Sequence, residues 1–496
     1  MTAAATPATS PAPAGEQSGV RLARSRRNAE LSLLVLAMVL VAAYGAMVEA
    51  NVLDTITPSF WVPAAALSAV FLGMHLVIRF LAPFADPALL PAVALLNGLG
   101  VGFLHRLDLA NATPAERAEL ATFAGIGGRQ LAWTLVSVIL AAGLLALMRD
   151  HRSVSRYAYT LGLAGIVLVM LPAVLPPSIS EINGAKLWVR IGGFSIQPGE
   201  FAKLALLVFF AYYLVRKREV LSLASHRFLG IDFPRGRDLG PVLVVWVISL
   251  LVLVFEKDLG TSLLYFGMFV VTLYIATERV SWLLIGLVLF FGGAYLAYVL
   301  GDAFGGPFAN FYVRAEIWLD PFGDPYDKGY QLVQGLLALG TGGMFGAGPG
   351  GGQPLLLPEV QNDFIFAGLG EEIGLFGLSA LLVIYLLIVE RGLRAALAVR
   401  DSFGKLLAGG LAFTLALQVF VIVGGISGLI PLTGQTTPFL SAGGSSLMAN
   451  WLLVAVLLRV SDAGRRPVTG VGGKVTRPSA GPPEQLHGAP TEVIKP

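Results

Sequence analysis

Twelve apolar stretches constrain this chain more than any other feature. A membrane-spanning helix needs about 20 mostly apolar residues. The stretches occupy 31–48, 61–82, 88–105, 129–148, 157–176, 199–215, 239–255, 260–277, 282–300, 363–389, 406–424 and 445–460. Only 13% of the residues are charged, whereas soluble domains carry about 25%. The sequence therefore predicts an all-α polytopic membrane protein with about 12 transmembrane helices, located in the cell (cytoplasmic) membrane.

The distribution of basic residues predicts the orientation of these helices. If every stretch crosses, most of the 34 lysines and arginines fall in loops on one side, and basic loops stay in the cytoplasm. Both termini are therefore expected in the cytoplasm. A large extracytoplasmic loop, 301–362, is expected between helices 9 and 10.

The same reading divides the chain into four parts. They are a disordered cytoplasmic N-terminus (1–28), additional N-terminal transmembrane helices (29–125), a transmembrane core (126–462) and a disordered cytoplasmic tail (463–496). The basic residues are spread over many short loops, so nucleic-acid binding is not indicated. The chain has no cysteine, which excludes disulfides and thiol catalysis.

A carboxylate-rich segment, 314–372, lies between two of the most apolar stretches. Long loops in compact proteins tend to be functional, so chemistry is expected there. Asp320 and Asp324 each precede a proline, which favours an extended or turn backbone. Such rigidity would hold a carboxylate in place, although Asp-Pro is also an ordinary turn signal. The acidic residues of the segment are Asp320, Asp324, Asp327, Glu359, Asp363, Glu371 and Glu372.

Charged residues near the start of the stretch at 199–215 indicate a cavity. Lys203 follows Glu200 by three residues and shares its helical face. A charge at membrane depth costs about 2.5–3.5 kcal/mol and usually faces a partner or a wet cavity. We expect Lys203 to pair with Glu200 there, with Lys186 and Arg190 close by. Glu200 alone also fits a helix start.

Three further segments are expected at the same side of the membrane. Glu256, Lys257 and Asp258 form a charged turn, in which Asp258 alone could cap the next helix. One of Glu371 and Glu372 is expected to pair with a cation such as Lys203. The uncharged, hydroxyl-rich segment 430–450 indicates either a surface loop or a re-entrant turn, which requires cover by protein or water.

Five motifs in this order resemble the SEDS family (shape, elongation, division and sporulation), and within it the RodA branch more than the FtsW branch. The resemblance covers roughly 125–462, and the two additional N-terminal spans are similar to the actinobacterial type. The motifs are GAKLWVRIGGFSIQPGEFAK, EKDLGTSLL, DPYDKGYQLVQGLLALGTGGMFGAG, LPEVQNDFIFAGLGEEIG and IPLTGQTTPFLSAGGSS.

The resemblance implies a peptidoglycan glycosyltransferase. Such enzymes polymerise lipid II, an undecaprenyl-diphosphate-linked disaccharide peptide, at the outer membrane face, in contact with membrane lipid. They work with a class B penicillin-binding protein, and the RodA branch implies a role in cell elongation and shape.

The family's essential loop aspartate maps onto Asp324, followed by Gly329, Tyr330 and Gln331; Asp320 ranks second because it lacks this spacing. The predicted substrate-binding residues are Lys186, Arg190, Glu200, Lys203, Glu256, Lys257, Arg314, Gln331, Asp363, Glu371, Glu372, Ser441 and Ser445.

This transfer needs a carboxylate to accept the proton of the attacking hydroxyl and positive charge beside the departing diphosphate. A divalent cation, Mg²⁺ or Mn²⁺, would also supply that charge; the sequence neither requires nor excludes it, and no metal ligands are assigned.

Three alternatives stay open: a lipid II flippase, a non-catalytic scaffold for the penicillin-binding protein, and another polyprenyl-linked glycan polymerase. A flippase predicts buried charge through both leaflets. Here buried charge is expected only towards the outer end, which favours the enzyme.

Overall fold

A computed structural model of the chain describes residues 14–113, 116, 125–182, 185–192, 194–221, 224–228, 231–234, 239–256 and 258–467. The predicted tail beyond 467 and residues 1–13 lie outside the described residues. One prediction fails at the N-terminus, because helix α1 begins at Ala14, inside the stretch predicted to be disordered. Residues 14–28 include four arginines, and arginine favours helix. Arg26 and Arg27 also donate to the carbonyls of Phe84 and Ala85.

Long helices dominate the described residues, and eleven of them are long and apolar enough to cross a membrane. They are α1 (Ala14–Leu53), α2 (Trp61–Leu81), α3 (Leu89–Asn111), α4 (Ile126–Leu147), α5 (Ala158–Val174), α7 (Pro198–Leu221), α9 (Leu259–Thr277), α10 (Val280–Phe304), α13 (Ile365–Ala398), α14 (Ser402–Ile426) and α15 (Gly444–Arg465). The prediction of an all-α polytopic membrane protein is confirmed.

The twelfth predicted span is the shorter helix α8 (Gly240–Phe255), which has 16 residues. At 1.5 Å per residue it is about 24 Å long, against a hydrocarbon core of about 30 Å. It contains no charged residue and packs against α9. The sequence of α8 is therefore suited to the bilayer, although the helix is shorter than its neighbours.

The segment between α10 and α13 is not the open loop that the sequence analysis predicted. It contains α11 (Ala309–Leu319), α12 (Tyr330–Gly342) and 3₁₀ turns at Gly306–Phe308 and Pro354–Leu356. Helix α12 packs against α13. Apolar residues at helical spacing in α12, including Leu332, Val333 and Ala338, are buried, and that spacing is the reason the segment folds into helices.

Short elements complete the chain. A four-residue helix, α6 (Pro177–Ser180), precedes two small antiparallel hairpins. These pair β1 (Glu181–Ile182) with β2 (Ala185–Lys186), and β3 (Val189–Ile191) with β4 (Phe194–Ile196). A third hairpin joins β5 (Ala224–Phe228) to β6 (Ile231–Pro234).

Helices α3 and α15 lie at the centre of the bundle, and α10 lies at its lipid-facing edge. In the most apolar window of α3 and of α15, 83% of the residues are buried, compared with 17% in α10. Helix α15 packs against α4, α13 and α14, while α3 packs against α1, α4 and α13. Of the buried polar side chains described below, α3 carries Arg106 and α15 carries Ser445.

Helix α13 is broken inside the membrane-spanning region. Gly374 has φ +67° and ψ −175°, a conformation open essentially only to glycine. The backbone groups freed by the break bond to the segment after α12. Leu375 N donates to Gly343 O at 2.9 Å, and Gly348 N donates to Glu372 O at 2.9 Å. Irregular backbone is tolerated at this depth because protein satisfies its polar groups.

Buried charges also occur at the end of the bundle formed by the loops 82–88, 148–157 and 399–401, which we call the far end. Arg465 pairs with Asp86 at 2.5 Å, and Phe84 N donates to Asp462 Oδ1 at 2.9 Å. Glu30 pairs with both Arg27 and His75. The expectation that buried charge is confined to the other end is therefore wrong, because loop residues at the far end are covered by neighbouring helices.

Candidate active site

An irregular segment, 427–443, joins α14 to α15 and forms the centre of the candidate site; we call it the connecting segment. Although it contains no helix or strand, several of its polar side chains are buried, and its burial agrees with a re-entrant turn rather than a surface loop. The buried polar residues are Thr433, Gln435, Thr437 and Ser441.

The predicted pair of Glu200 and Lys203 is present in the first turns of α7. Lys203 Nζ lies 2.6 Å from Glu200 Oε2, and Lys203 is only 3% exposed. The ammonium also donates to Gln418 Oε1 at 3.1 Å, and Gln418 Nε2 donates to Thr436 O at 3.2 Å. Two hydrogen bonds therefore link this ion pair to the connecting segment.

Asp258 reaches the connecting segment through a second glutamine. Its side chain caps α9 by accepting from Thr261 N at 3.1 Å, as the alternative reading of this residue predicted. Gln435 Nε2 lies 3.2 Å from Asp258 Oδ2 and 2.9 Å from Thr261 Oγ1. Asp258 is thus a helix cap and a member of the buried polar cluster.

Glu256 is buried beside Asp258. Burial, together with the nearby charge of Asp258, raises the pKa of the Glu256 carboxyl to about 9, so this group is protonated at neutral pH. Its backbone carbonyl accepts from Lys186 N at 3.3 Å. Lys257 lies outside the described residues.

Arg314 of α11 also contacts the connecting segment. Its Nη1 donates to Leu432 O at 2.6 Å. Burial raises the pKa values of Asp258 and Asp363, and the positive charge of Arg314 opposes this rise at both carboxyls. Burial nevertheless raises the pKa of Asp363 to about 6, with a smaller contribution from Glu359. Arg314 therefore acts electrostatically on two predicted site carboxyls.

Asp324 lies in an exposed turn between α11 and α12. Gly329 N donates to Asp324 O at 2.9 Å, which closes the turn. A Cβ at Gly329 would lie 2.3 Å from Pro321 O and 2.8 Å from Asp324 O, so this turn requires glycine. The Asp324 side chain makes no hydrogen bond or ion pair with a described residue. Gln331 follows in the first turn of α12 and is half-buried.

Other predicted residues hold the backbone near the cluster. Ser441 Oγ donates to Asn362 O and accepts from Thr437 N, and Ser445 Oγ accepts from Gln197 N at 3.0 Å. The Arg190 guanidinium donates to Ser178 O and Glu181 O, which holds it against α6 and the start of the preceding hairpin. The Lys186 side chain is half-buried.

Glu371 and Glu372 lie apart from this cluster, at the break in α13. Glu372 is fully buried and pairs with Arg106 Nε at 3.1 Å. The expected cationic partner is therefore present, but it is Arg106 and not Lys203, which is paired with Glu200. Glu371 is half-buried and accepts from Gln353 N at 3.0 Å. Their predicted role in substrate binding stays a prediction.

The described residues include no group of three or more His, Asp or Glu side chains that could hold a metal ion. Mg²⁺ is commonly held by only one or two carboxylates together with substrate phosphates, so no residues are assigned as its ligands and no step is derived through it. The cation stays a prediction from the sequence.

The sequence analysis missed two glutamines that organise the site, Gln418 and Gln435. Gln418 lies in the apolar run of α14 and is buried. A lone amide in such a run marks a polar contact inside the bundle, so the signal was present. Gln435 gave no comparable signal, because its segment is polar throughout.

The chain is similar to known proteins. The family described as "Cell cycle protein", FtsW/RodA/SpoVE, matches residues 87–466. A Mycobacterium tuberculosis protein named peptidoglycan glycosyltransferase RodA is 48% identical over 471 residues, which are 95% of this chain and 96% of that protein.

Solved structures are similar as well. A chain of a peptidoglycan synthase complex, described as coordinating polymerization and crosslinking, superposes with a TM-score of 0.58 at 27% identity and covers 76% of this chain and 97% of that one. A Thermus thermophilus rod shape determining protein RodA with one aspartate-to-alanine substitution gives a TM-score of 0.52 at 25% identity, with the same two coverages. The family match spans most of the chain, including the whole polar cluster, and the protein therefore belongs to the FtsW/RodA/SpoVE family.

Proposed function

We infer that this protein is a peptidoglycan glycosyltransferase that polymerises lipid II at the outer face of the cytoplasmic membrane during cell elongation. The observation that carries this inference is the 48% identity over 95% of the chain to a protein named for that activity. The chain itself contributes a buried polar cluster at one end of the bundle and an exposed carboxylate in the adjacent segment.

We assign the general base to Asp324. Its carboxylate is exposed, and its backbone is held by the turn that Gly329 closes. An incoming 4-hydroxyl would give its proton to this carboxylate as the oxygen attacks the anomeric carbon, and the diphosphate would leave from the opposite face. One such displacement inverts the configuration and converts an α-linked diphosphate into a β-linked glycan. General base catalysis of this kind contributes about 10²–10⁴-fold.

Positive charge beside the departing diphosphate would come from cations that are not neutralised. Lys203 is closely paired with Glu200, so its charge is largely compensated. Lys186, Arg190 and Arg314 make no close ion pair with a described carboxylate, and they are the better candidates. Fixed charges stabilise a developing anion most strongly where water is excluded.

The proposal also includes a partner protein and an orientation in the membrane. A class B penicillin-binding protein is the proposed partner, supported by the similarity to a chain of a peptidoglycan synthase complex. Both termini are proposed to lie in the cytoplasm, supported by the positive-inside rule. The segment with Asp324 then faces outward, where lipid II presents its sugar.

The decisive experiment is polymerisation of purified lipid II by the wild type and by Asp324→Asn, each with and without a class B penicillin-binding protein. We expect Asp324→Asn to lose at least about 10²-fold in rate while keeping the wild-type melting temperature. Asp327→Asn, which removes an exposed carboxylate from the same segment, is the matched control and should polymerise normally. A fully active Asp324→Asn would remove the base assignment, whereas a wild type that polymerises nothing with or without the partner would favour a scaffold or a flippase.

A further inference from the structure

We propose that helix α1, which precedes the residues matched by the family model, positions the segment between α10 and α13, which carries Asp324, through Tyr44 and Asn51. The family match begins at residue 87, so it contains neither residue. Both are positioning residues, since they act through other groups and have no assigned contact with substrate. The proposal rests on the proposed glycosyltransferase function.

Tyr44 holds the buried carboxylate at the break in α13. Its hydroxyl donates to Glu372 Oε2 at 2.9 Å, while Arg106 Nε donates to the other oxygen at 3.1 Å. Glu372 is 0% exposed and Tyr44 is 7% exposed. A buried carboxylate needs such partners because an unpaired charge in the interior is costly. Tyr44 is the partner that α1 supplies.

Glu372 and Arg106 in turn hold the glycine-rich stretch that follows α12, residues 343–352, which we call the glycine loop. Gly348 N donates to Glu372 O at 2.9 Å. Arg106 Nη2 donates to Gly350 O and to Gly352 O, both at 3.0 Å. The groups that clamp the carboxylate therefore also fix the path of the loop.

Helix α1 also contacts the glycine loop directly. Asn51 Nδ2 donates to Pro349 O at 2.6 Å. A Cβ on Gly350 would lie 3.2 Å from Val48 O and 3.2 Å from Asn51 Cβ, so the loop backbone packs closely on the helix. Tyr44, Val48 and Asn51 follow a spacing of four and three residues, which places them on one face of α1.

The glycine loop continues directly from α12, and α12 begins just after the turn that carries Asp324. Helix α12 packs on α13, and Leu375 and Phe376 N donate to Gly343 and Met344 O. A glycine-rich chain has little stiffness of its own, so external contacts must set its course. Loss of the contacts from α1 would therefore loosen the glycine loop. Through α12 it would also loosen the turn that carries Asp324.

The test compares full-length wild type, Tyr44→Phe and Asn51→Ala in lipid II polymerisation. Tyr44→Phe removes one hydroxyl and keeps the ring. We expect kcat to fall about tenfold, the effect of losing one hydrogen bond to a charged group, with KM for lipid II unchanged. Backbone amides of Ala347 and Gly348 should exchange with deuterium faster, while those of α14 should not. Ser32→Ala removes an exposed hydroxyl from the same helix and is the control.

The outcomes separate this proposal from the proposed function. An inactive wild type would contradict the glycosyltransferase activity itself. An active wild type with unchanged kcat and unchanged exchange at Ala347 and Gly348 in Tyr44→Phe would overturn the positioning role. A fall in kcat with faster exchange throughout the protein would also overturn it, since that result indicates general destabilisation.

Discussion

The buried ion pair between Lys203 and Glu200 stabilises the candidate site. Removing Lys203 leaves Glu200 charged and unpaired in the protein interior, which costs about 3–5 kcal/mol. We expect Lys203→Met to lower the melting temperature in detergent strongly, and Glu200→Gln combined with Lys203→Met to recover much of the loss.

Arg218→Ala is the control for this prediction. It breaks an ion pair with Glu278 in which the side chains are 51% and 77% exposed, and such pairs contribute about 0–1 kcal/mol. A similar loss of stability in Lys203→Met and Arg218→Ala would contradict the buried pairing.

Asp363 gives the site a defined dependence on pH. Its pKa is raised to about 6, so the folded protein holds this proton more tightly than the unfolded chain. The stabilisation is complete below about pH 4, the ordinary aspartate pKa, and is lost as the pH rises to about 6; two pKa units correspond to about 3 kcal/mol. Asp363→Asn should flatten the fall in melting temperature between pH 4 and pH 6. Parallel curves for variant and wild type would contradict the shift.

The buried ion pairs differ in whether the sequence could predict them. The pairing of Glu200 with Lys203 followed from helical spacing and the cost of a charge at membrane depth. The pairing of Glu372 with Arg106 joins residues 266 positions apart, and no local pattern specifies such a contact. Long-range partners depend on which helices meet, and apolar periodicity alone does not determine that.

Among the elements, the break in α13 is the most sensitive to substitution. A Cβ at Gly374 would lie 2.3 Å from Gly346 N and 2.5 Å from Phe345 C. The backbone conformation alone costs a non-glycine residue about 1–3 kcal/mol, and the clash adds to it. We expect Gly374→Ala to lower the melting temperature markedly and to free the glycine loop for proteolysis.

Gly143 in α4 provides the matched control for Gly374. A Cβ there would meet nothing within 4 Å, and alanine is favoured over glycine in a helix by about 0.5–1 kcal/mol. Gly143→Ala should therefore be neutral or stabilising. Equal effects at the two positions would contradict the strained break.

The elements also differ in how well their sequences predict them. All twelve apolar stretches are helices, because a segment inside a bilayer must satisfy its backbone hydrogen bonds within itself, and an α-helix does so. Helices α11 and α12 were missed, because the charged residues and prolines around them indicated a loop. The break at Gly374 follows two glutamates and lies among several glycines, but isolated glycines also occur within continuous helices, so the sequence alone does not specify the break.

The whole molecule has two polar ends joined by apolar helices. Hydrogen bonds tie the connecting segment to Asp258, Arg314 and Asn362 at one end, while His151 pairs with Asp401 at the far end. We propose from the positive-inside rule that the far end lies in the cytoplasm. Twelve crossings, with α8 included, would return both termini to that side.

Single cysteines can test this orientation, because the chain has none of its own. Tyr326 is 91% exposed in the segment that carries Asp324, and Arg218 is half exposed at the far end. In intact cells we expect an impermeant maleimide to label Tyr326→Cys and to leave Arg218→Cys unlabelled until the membrane is opened. The reverse pattern would contradict the orientation.

The position of the connecting segment in the chain has a consequence for biosynthesis. Residues 427–443 leave the ribosome after helices α1 to α14, yet they receive hydrogen bonds from side chains made much earlier, including Gln130 and Arg314. Those side chains cannot reach their final partners, and this polar end of the bundle cannot close, until the connecting segment has been made.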